Sequence, residues 1–589
     1  MNPISFYQQN VQEHSAIVKK LKARLRVLSI FRLSVFLIMG GITYFMWGNI
    51  PAISSGIAIG LVLFLILVSK YTDLKHTAAY HKQLISINEL ELNVAKGDLS
   101  ELKTGTEYIY EEHHFNQDID LFGQGSIFQF INRTEIKKGE QLLAGWLNSN
   151  NIDDIPNKQK SIQELSEKAK WRQHYKASAA LIQSDVSSSV ILNWIKGYST
   201  FVPKVFKWLP IIFSVLSTVA VTFYAIGIIS GSILLYWFLL GIFISAPYVK
   251  RITILYNASH QMKETFAQYA QLLKSVENEQ FECEVLRYQQ ERVKTKGLKA
   301  SLILQSLSKQ IDYLGNRNNM IFAPLTNGFL LWDAHFAFRI ENWLTEFDAA
   351  LSDWFEVIEF FDAANSLGNI AFNKPSYIYP MISENEKDQI MASELGHPLL
   401  DTNSIVTNSI NINNEDFFII TGANMAGKST FLRTVAVNLV MANCGLPVCA
   451  STFSYRPIKL ISSMRTSDSL TNDESYFFSE LKRLKFIVES IATDTYFIIL
   501  DEILKGTNSK DKAEGSQKFV ERLVASNSTG LIATHDLSLC QLADKLPEIQ
   551  NHYFDAEIVN DELFFDYTFK KGICQNMNAS FLLKKMDIV

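Results

Sequence analysis

The feature that most constrains this chain is a glycine-rich segment placed between a strand-like run and a helical run. Phe417 to Thr421 is β-branched and aromatic, and the residues from Gly422 onward read GxxxxGK[ST] before a helical pattern begins. Glycines let the backbone N–H groups of such a loop wrap phosphate groups, and the helix N-terminus adds the positive end of its dipole. Lys428 is expected to reach the β- and γ-phosphates, and the Ser429 hydroxyl to bind Mg²⁺. The predicted nucleotide-binding residues here are Gly422, Asn424, Met425, Gly427, Lys428, Ser429 and Thr430.

Two further apolar runs end in residues suited to phosphate chemistry. Tyr496 to Leu500 is apolar throughout, as a strand buried on both faces should be, and it ends in Asp501 and Glu502. At the carboxyl edge of a sheet, Asp501 is expected to hold the metal and Glu502 to orient or deprotonate the attacking water. The run Gly530 to Thr534 ends in a histidine that suits a γ-phosphate sensor. The predicted catalytic residues are Glu502, His535 and Lys428, and the predicted metal ligands are Ser429 and Asp501.

Two other regions are apolar enough to cross a membrane as helical hairpins. The first contains the charge-free stretches Leu33 to Trp47 and Ala52 to Val68, separated at Gly48 to Pro51. The second runs from Trp208 to Val249 with a break at 229–232. Each stretch is near the short end of what a bilayer requires. Lysine and arginine flank one side of both hairpins, which predicts that this side faces the cytoplasm.

We therefore predict a membrane-integral protein with four spans in the cytoplasmic (inner) membrane and its soluble domains facing the cytoplasm. The alternative is a pair of buried helical hairpins inside a large soluble core. Charge-free paired stretches of this length are uncommon in soluble folds, which favours the membrane interpretation.

Composition excludes several classes of protein. The 589 residues are enough for about three to five domains. A formal net charge of -5 excludes a uniformly basic nucleic-acid binder, though not a local basic patch. The five cysteines contain no CxxC pair, which argues against a disulfide scaffold or zinc module and predicts a reducing compartment. A basic stretch from Arg287 to Lys299 is interpreted as a solvated helix face, with a phosphate-contacting surface as the alternative.

Beyond the general P-loop pattern, several segments resemble the DNA mismatch-repair MutS family. Thr421 to Thr430 contains an Asn-Met pair that is distinctive among P-loops. Leu500 to Ile503, with Gly506 to Asp511, resembles that family's Walker B strand and following D-loop. Ala533-Thr-His535 matches its switch histidine, and Gly396-His-Pro398 its entry to the ATPase domain. The likeness to the family is good over 390–589. It is weak over 115–200, where Ser126 to Trp146 resembles the start of the family's helical core. Over 252–370 only the pattern of long helices is similar.

The resemblance implies an ABC-type ATPase that works as a homodimer with two composite sites for ATP and Mg²⁺. Each P-loop would face the partner's signature loop, which in this chain falls at 468–480, with Ser475 presented to the γ-phosphate. Asp473 and Glu474 stand where the family has a glycine, and two acids there would repel a triphosphate unless they turn away. Tyr567 falls where the family has an aromatic residue that stacks on the base.

DNA binding is implied by the resemblance alone. The segment before residue 115 does not resemble a mismatch-recognition domain and lacks a Phe-x-Glu wedge motif, and the lever helices are too short for the family's DNA clamp. The expected function is a membrane-anchored ATPase that couples ATP hydrolysis to engagement of DNA, with mismatched or branched DNA as the candidate forms. The alternatives are a nucleotide-switched membrane scaffold for protein partners and a fused ABC-type transporter.

The predicted fold class is multidomain, with α-helical transmembrane hairpins, an all-α core and lever domain, and an α/β P-loop (ABC-type) ATPase domain. The predicted segments are a cytoplasmic N-terminal helix (1–28), transmembrane hairpin 1 (29–71), a cytoplasmic helical segment with a MutS-like core start (72–206), transmembrane hairpin 2 (207–250), a helical lever or core domain (251–375) and a MutS-type ABC ATPase domain (376–589).

Overall fold

The structure is a computed structural model that describes residues 2–110, 112–182, 188–295, 297–401, 404–423, 425–465, 476–505, 508–559 and 562–575. The helices are α1 (Pro3–Phe45), α2 (Ile50–Val94), α3 (Ile127–Ile131), α4 (Lys137–Asn148), α5 (Ile155–Glu167), α6 (Ala169–Ala180), α7 (Ser188–Lys196), α8 (Leu209–Ala225), α9 (Gly231–Ser245), α10 (Val249–Asn278), α11 (Glu284–Arg292), α12 (Ala300–Gly315), α13 (Phe322–Leu330), α14 (Trp332–Asn373), α15 (Lys428–Asn443), α16 (Tyr476–Ile491) and α17 (Ser509–Val524). Short 3₁₀ helices lie at Thr106–Tyr108, Lys204–Lys207, Ala246–Tyr248, Asn316–Asn318 and Leu537–Asp544.

The strands are β1 (Lys294–Thr295), β2 (Leu298–Lys299), β3 (Met381–Ile382), β4 (Asp388–Leu395), β5 (Asn408–Asn413), β6 (Phe417–Gly422), β7 (Thr452–Tyr455), β8 (Lys459–Ser463), β9 (Tyr496–Asp501), β10 (Thr529–Ala533), β11 (Ile549–Phe554), β12 (Glu557–Val559), β13 (Glu562–Phe564) and β14 (Lys570–Lys571). The chain is therefore helix-rich and multidomain, with a mixed α/β region, as predicted.

The chain forms two compact units, each assembled from separated stretches. The helical unit comprises Met1–Ala95, Thr134–Gly139 and Lys170–Asp362. The sheet unit comprises Lys96–Arg133, Glu140–Ala169 and Ala363–Val589. The division into six segments made from the sequence stays a prediction.

The long helices α1 and α2 of the helical unit are separated by a turn at the predicted break. Gly48 adopts a φ of +97°, a conformation that favours glycine. The Asn49 side chain then caps α2 by accepting a hydrogen bond from the Ala52 N–H, and Pro51 occupies the first turn, where its missing N–H costs nothing. Sequence signals for a helix end and a helix start therefore coincide within four residues.

Within the described residues, three helical stretches are long and apolar enough to cross a membrane: Pro3–Phe45, Ile50–Val94 and Gly231–Asn278. In each of the first two helices, no residue of the most apolar part is buried against the rest of the protein. The other predicted span forms α8, which is apolar but only 17 residues long. This finding rests on length and composition, and the arrangement of four spans stays a prediction.

A cluster of amide side chains is buried between α1, α2 and α6 in the helical unit. Asn10 Nδ2 donates to Asn88 Oδ1 at 3.3 Å and to Gln173 Oε1 at 3.0 Å. Gln173 Nε2 donates to Asn88 Oδ1 at 2.8 Å, which closes the triangle. One helical turn further along, Nδ1 of His14 and Nδ1 of His81 lie 3.3 Å apart. The contact between these helices therefore combines apolar packing with buried amide groups that need one another as hydrogen-bond partners.

The remainder of the helical unit is built on long helices with aromatic contacts, as the sequence pattern of residues 252–364 predicts. Trp343 on α14 donates from Nε1 to the Ile303 carbonyl of α12 at 3.2 Å. Arg292, at the end of α11, contacts Asp353 and Glu356 of α14 at 2.6 Å each. The basic stretch that contains Arg292 is therefore partly neutralised within the helical unit, which favours the solvated-face interpretation.

The sheet unit is organised around a six-stranded sheet in the order β14-β11-β6-β10-β9-β8. Strands β11, β6, β10, β9 and β8 run parallel to their neighbours, and β14 pairs antiparallel with β11. In this register Ala533 lies beside both Ile420 and Asp501. The carboxyl ends of β6, β10 and β9 therefore meet at one edge of the sheet, where the predicted site residues follow. A second sheet has the order β3-β7-β4-β5.

Candidate functional site

The glycine-rich loop between β6 and α15 has the backbone conformation that its glycines were expected to permit. Gly422 and Gly427 have φ values of +148° and +104°, and Met425 between them has +69°. A Cβ at Gly422 would lie 2.6 Å from the Phe554 carbonyl oxygen, so only glycine fits there. Helix α15 begins at Lys428, immediately after Gly427, which directs the helix N-terminus at the loop.

Lys428 lies over the loop that precedes it. Its Nζ donates to the carbonyl oxygens of Gly422 at 2.8 Å and Ala423 at 3.0 Å. Burial lowers the pKa of Lys428, and the nearby carboxylates of Asp501 and Glu502 oppose that effect. The ammonium group is thus held at the mouth of the loop by groups that an anionic ligand can replace.

Ser429 and Asp501 bring two oxygen ligands together at the edge of the sheet. Ser429 Oγ donates to Asp501 Oδ2 at 2.5 Å, joining the start of α15 to the end of β9. A hydroxyl and a carboxylate are hard oxygen donors of the type that Mg²⁺ prefers. Among the described residues there is no group of three or more His, Cys, Asp or Glu side chains that could hold a metal. The donor set therefore fits Mg²⁺ that takes its remaining ligands from phosphate and water.

Glu502 follows Asp501 in a strained conformation, with a φ of +59°. Its backbone N–H donates to the Ala533 carbonyl at 2.9 Å, which ties it to β10. Its carboxylate lies between two lysines, with Oε2 at 3.5 Å from Lys505 Nζ and Oε1 at 3.5 Å from Lys512 Nζ. Burial raises the pKa of Glu502, but Lys512, Lys505 and His535 outweigh it and lower the pKa. The carboxylate is therefore ionised at neutral pH.

His535 approaches the same ammonium group of Lys428 that contacts the loop carbonyls. Its Nε2 is 3.4 Å from Lys428 Nζ. Burial, together with the Lys428 charge, lowers the pKa of His535, and the carboxylates of Glu502 and Asp501 do not compensate. The ring is therefore neutral at pH 7 and can either accept or donate one hydrogen bond at this edge.

These residues line a cavity of about 570 Å³ in the sheet unit. Tyr567 forms part of its wall and packs on the glycine-rich loop, because a Cβ at Gly427 would lie 3.1 Å from Tyr567 Cδ1. Asn408 holds this wall by donating to the Tyr567 carbonyl at 3.0 Å and accepting from the Phe569 N–H at 2.7 Å. Cavity-lining residues that sequence reasoning missed are Leu395, His397, Leu400, Ser404, Ile405, Val406, Asn408, Ala423, Phe431, Thr434, Lys505 and Phe554.

For the part of this wall at 395–408, the sequence signal was the Gly396-His-Pro398 motif, and it indicated where a domain begins without indicating a cavity wall. Of the predicted site residues, the structure brings Gly422, Met425, Gly427, Lys428, Ser429, Thr430, Asp501, Glu502, His535 and Tyr567 together around the cavity mouth. Asn424 and Ser475, with Asp473 and Glu474, lie outside the described residues. The roles assigned to all these residues stay predictions.

Sequence reasoning also missed a buried carboxylate that holds the residues just before segment 466–475. Asp118 accepts hydrogen bonds from Ser462 Oγ at 2.6 Å and from the N–H groups of Met464 at 3.1 Å and Arg465 at 2.8 Å. Arg483 on α16 lies 3.8 Å from the same carboxylate. The backbone at Met464 and Arg465 is therefore held by a residue more than three hundred positions earlier in the chain.

Comparison with known proteins covers the C-terminal part of the chain. Residues 418–584 match the family model of MutS domain V. "MutS protein homolog 4" of Homo sapiens is 30% identical over 202 residues, which is 32% of this chain and 22% of the relative. "DNA mismatch repair protein MutS" of Staphylococcus aureus is 30% identical over 241 residues, which is 40% of this chain and 27% of the relative. The chain thus spans about a quarter of the length of these relatives, and the resemblance seen in its motifs is confirmed.

Proposed function

Because residues 418–584 match the family model of MutS domain V, we propose that this chain is a MutS-family ATPase that binds ATP with Mg²⁺ and hydrolyses the ATP to ADP and phosphate. The observation that carries this proposal is the 2.5 Å contact between Ser429 Oγ and Asp501 Oδ2. It joins the start of α15 to the end of β9, and Lys428 and Glu502 line the same cavity. An ATPase requires these four groups at one point, and chance convergence of unrelated motifs would not provide them.

The geometry suggests a distinct task for each residue. Lys428 would exchange the Gly422 and Ala423 carbonyls for oxygens of the β- and γ-phosphates, and the backbone N–H groups of the loop would bind the remaining phosphate charge. Ser429 and Asp501 would hold Mg²⁺, which neutralises charge on the phosphates when it is bound. Glu502, ionised at neutral pH, would accept the proton of the attacking water.

Glu502 must first be released from the lysines that surround it. Its carboxylate oxygens are each 3.5 Å from an ammonium group, Lys505 on one side and Lys512 on the other. Phosphate oxygens compete for the same cations, so nucleotide binding supplies a route to that release. His535, neutral and 3.4 Å from Lys428 Nζ, would then contact the γ-phosphate.

We further propose that two copies of the chain form the working enzyme, each providing Ser475 to the other's nucleotide. The helical unit would anchor this homodimer in the cytoplasmic membrane through four spans. The exposed apolar side chains of α1 and α2 support an anchor, since an apolar surface of that extent is unstable in water.

DNA is the ligand that we propose for this ATPase, on the strength of the relatives' names and their likeness to the ATPase domain alone. The helical unit gives little support, because Arg292 in its basic stretch is paired with Asp353 and Glu356. A protein partner of the membrane-anchored ATPase is the competing possibility, and the two are separated by the same assay.

The test is steady-state ATP hydrolysis by the detergent-purified protein, with and without homoduplex, heteroduplex and branched DNA. Glu502→Gln and Lys428→Ala should abolish hydrolysis, whereas the exposed pair Glu514→Gln and Lys518→Ala on α17 provides matched controls that should retain it. Hydrolysis in Glu502→Gln equal to wild type would refute the ATPase mechanism. Hydrolysis that responds to no DNA would refute DNA coupling and leave the protein-partner alternative.

A further inference from the structure

Helix α13 of the helical unit has its polar side chains inside and its apolar side chains outside. Thr326 and Asn327 are buried, whereas Leu325 is 51% exposed. Just before the helix, Met320 is 92% exposed and Ile321 is 75% exposed. A helix on a water-facing surface has the opposite arrangement, with apolar side chains in the core.

The buried polar groups of α13 need no water because they are satisfied within the protein. Thr326 Oγ1 donates to the Phe322 carbonyl at 2.8 Å, and Asn327 Nδ2 donates to the Ala323 carbonyl at 3.0 Å. Asn327 Oδ1 accepts from the N–H of Asp333 at 3.0 Å. The outward face of α13 therefore has no polar side chain, and residues 318–332 contain no charged residue.

Helix α13 packs closely against α9, one of the candidate membrane helices. A Cβ at Gly241 on α9 would overlap the Gly328 carbonyl oxygen, and a Cβ at Gly328 would overlap the ring of Phe238. Pairs of small residues that let two helix backbones approach in this way are typical of contacts between helices in membranes. The exposed face of α13 thus continues the exposed apolar surface of α9, which includes Leu239, Leu240 and Phe243.

Charged residues mark where α13 begins its course along this hairpin. Arg317 donates to Thr253 Oγ1 at 2.9 Å, beside the positively charged flank at Lys250 and Arg251. Gly328, near the other end of α13, lies at Gly241, further into the apolar part of the hairpin. Arg317 also lies 3.5 Å from Asp333, which follows α13, so the charged groups on the two sides of the helix pair with each other and the stretch between them is free of charge.

We propose that α13 is inserted among lipid acyl chains beside α8 and α9, with Met320, Ile321, Phe322 and Leu325 in contact with lipid. This rests on the membrane anchoring proposed above. Lipid is the occupant because α13 is continuous with the candidate spans and has an apolar face without charge, like theirs. Since α14 begins at Trp332, directly after α13, this insertion fixes the start of the 42-residue helix α14 at the membrane.

The experiment uses the full chain reconstituted in vesicles of phosphatidylcholine and phosphatidylglycerol. An environment-sensitive dansyl amino acid is incorporated at position 320 or 325, and its quenching by lipids brominated on the acyl chains is measured. Position 59 on α2, where Ile59 is 70% exposed in a predicted span, is the positive control. Position 288 on α11, where Tyr288 is 61% exposed outside every apolar stretch, is the negative control.

We expect the loss of fluorescence at 320 and 325 to equal that at 59, with no loss at 288. No loss at 320 and 325 while 59 is quenched would overturn the insertion of α13 and leave the anchor intact. No loss at 59 would overturn the anchor itself. Fluorescence at 320 that is shielded from brominated lipid yet transferred to an acceptor-labelled second copy would show that this face is an interface between two chains, which also overturns the proposal.

Discussion

Replacing the buried Asp118 with alanine should strongly destabilise the sheet unit. The carboxylate accepts from Ser462 Oγ and from the Met464 and Arg465 N–H groups, at 2.6, 3.1 and 2.8 Å. Its removal leaves these donors without this acceptor. It also takes the carboxylate partner at 3.8 Å from Arg483, whose side chain is 19% exposed and keeps its bonds to backbone carbonyls. Removing one partner of a buried ion pair costs about 3–5 kcal/mol.

The assay is thermal unfolding of the full-length protein in detergent, followed by intrinsic fluorescence. A loss of about 3–5 kcal/mol should lower the Tm of the sheet unit by roughly 6–20 °C. Asp120→Asn is the matched control, because Asp120 is 37% exposed and its ion pairs with Arg433 and Arg465 are worth at most about 1 kcal/mol. Asparagine also tolerates the φ of +51° at this position.

Asp118→Asn separates shape from charge, since it keeps one acceptor oxygen and loses the ion pair with Arg483. Its Tm should fall between those of the wild type and Asp118→Ala. An Asp118→Ala protein that melts within about 2 °C of the Asp120→Asn control, less than 1 kcal/mol by the same conversion, would refute the reasoning. The residues that lead into segment 466–475 would then be held by something other than this carboxylate.

Three further predictions concern the nucleotide site and the helical unit. Gly427→Ala places a Cβ in a left-handed conformation that costs about 1–2 kcal/mol, so the Kd for a fluorescent ATP analogue should rise roughly tenfold; an unchanged Kd would contradict this. Tyr567→Ala should raise the KM for ATP roughly two- to tenfold, as expected for loss of about 0.5–1.5 kcal/mol of stacking, while Tyr567→Phe leaves the KM unchanged; equal effects of the two would disprove stacking. Burial lowers the pKa of both His14 and His81, and the charge of His81 lowers the pKa of His14 further. The folded protein therefore binds protons at these rings less readily than the unfolded protein does. The stability that the two neutral rings confer is complete above pH 6.5 and is lost as the pH falls below it. The Tm should therefore be lower at pH 5.5 than at pH 7.5. This drop in Tm should be smaller in His81→Gln than in His76→Gln, a matched control at an exposed histidine. An equal drop in the two variants would count against the histidine pair.

The strands around the site were predictable because each one is a local pattern. The runs at 417–421, 496–500 and 530–534 form strands β6, β9 and β10 within a residue of their expected ends. Parallel strands that are buried on both faces must be apolar, and their carboxyl ends must meet at one edge. With the loop that joins β6 to α15, that rule accounts for the contact between Ser429 and Asp501, while their role as metal ligands stays a prediction.

Other parts of the site depend on contacts that no local pattern records. Asp118 lies in a turn-rich stretch, and nothing in its neighbourhood indicates that its acceptors serve Met464 and Arg465. Lys512 pairs with Glu502 only because α17 begins where it does. The orientation of α13 follows from its contact with Gly241 on α9, a residue far away in sequence. Sequence patterns specify which face of an element is apolar, but not which neighbour covers it.

The amide cluster of Asn10, Asn88 and Gln173 has a consequence for how the chain is made. Asn10 and Asn88 both precede Gln173 in the chain, so their 3.3 Å hydrogen bond can form before Gln173 leaves the ribosome. If α1 and α2 slipped by one turn, these amides would separate, at a cost of about 1–3 kcal/mol for each group left unpaired in the interior. Leucines at these positions would pack equally well after such a slip. The hydrogen bond between Asn10 and Asn88 therefore favours one register of α1 against α2 in the nascent chain. The later hydrogen bonds of Gln173 to both residues stabilise that register further.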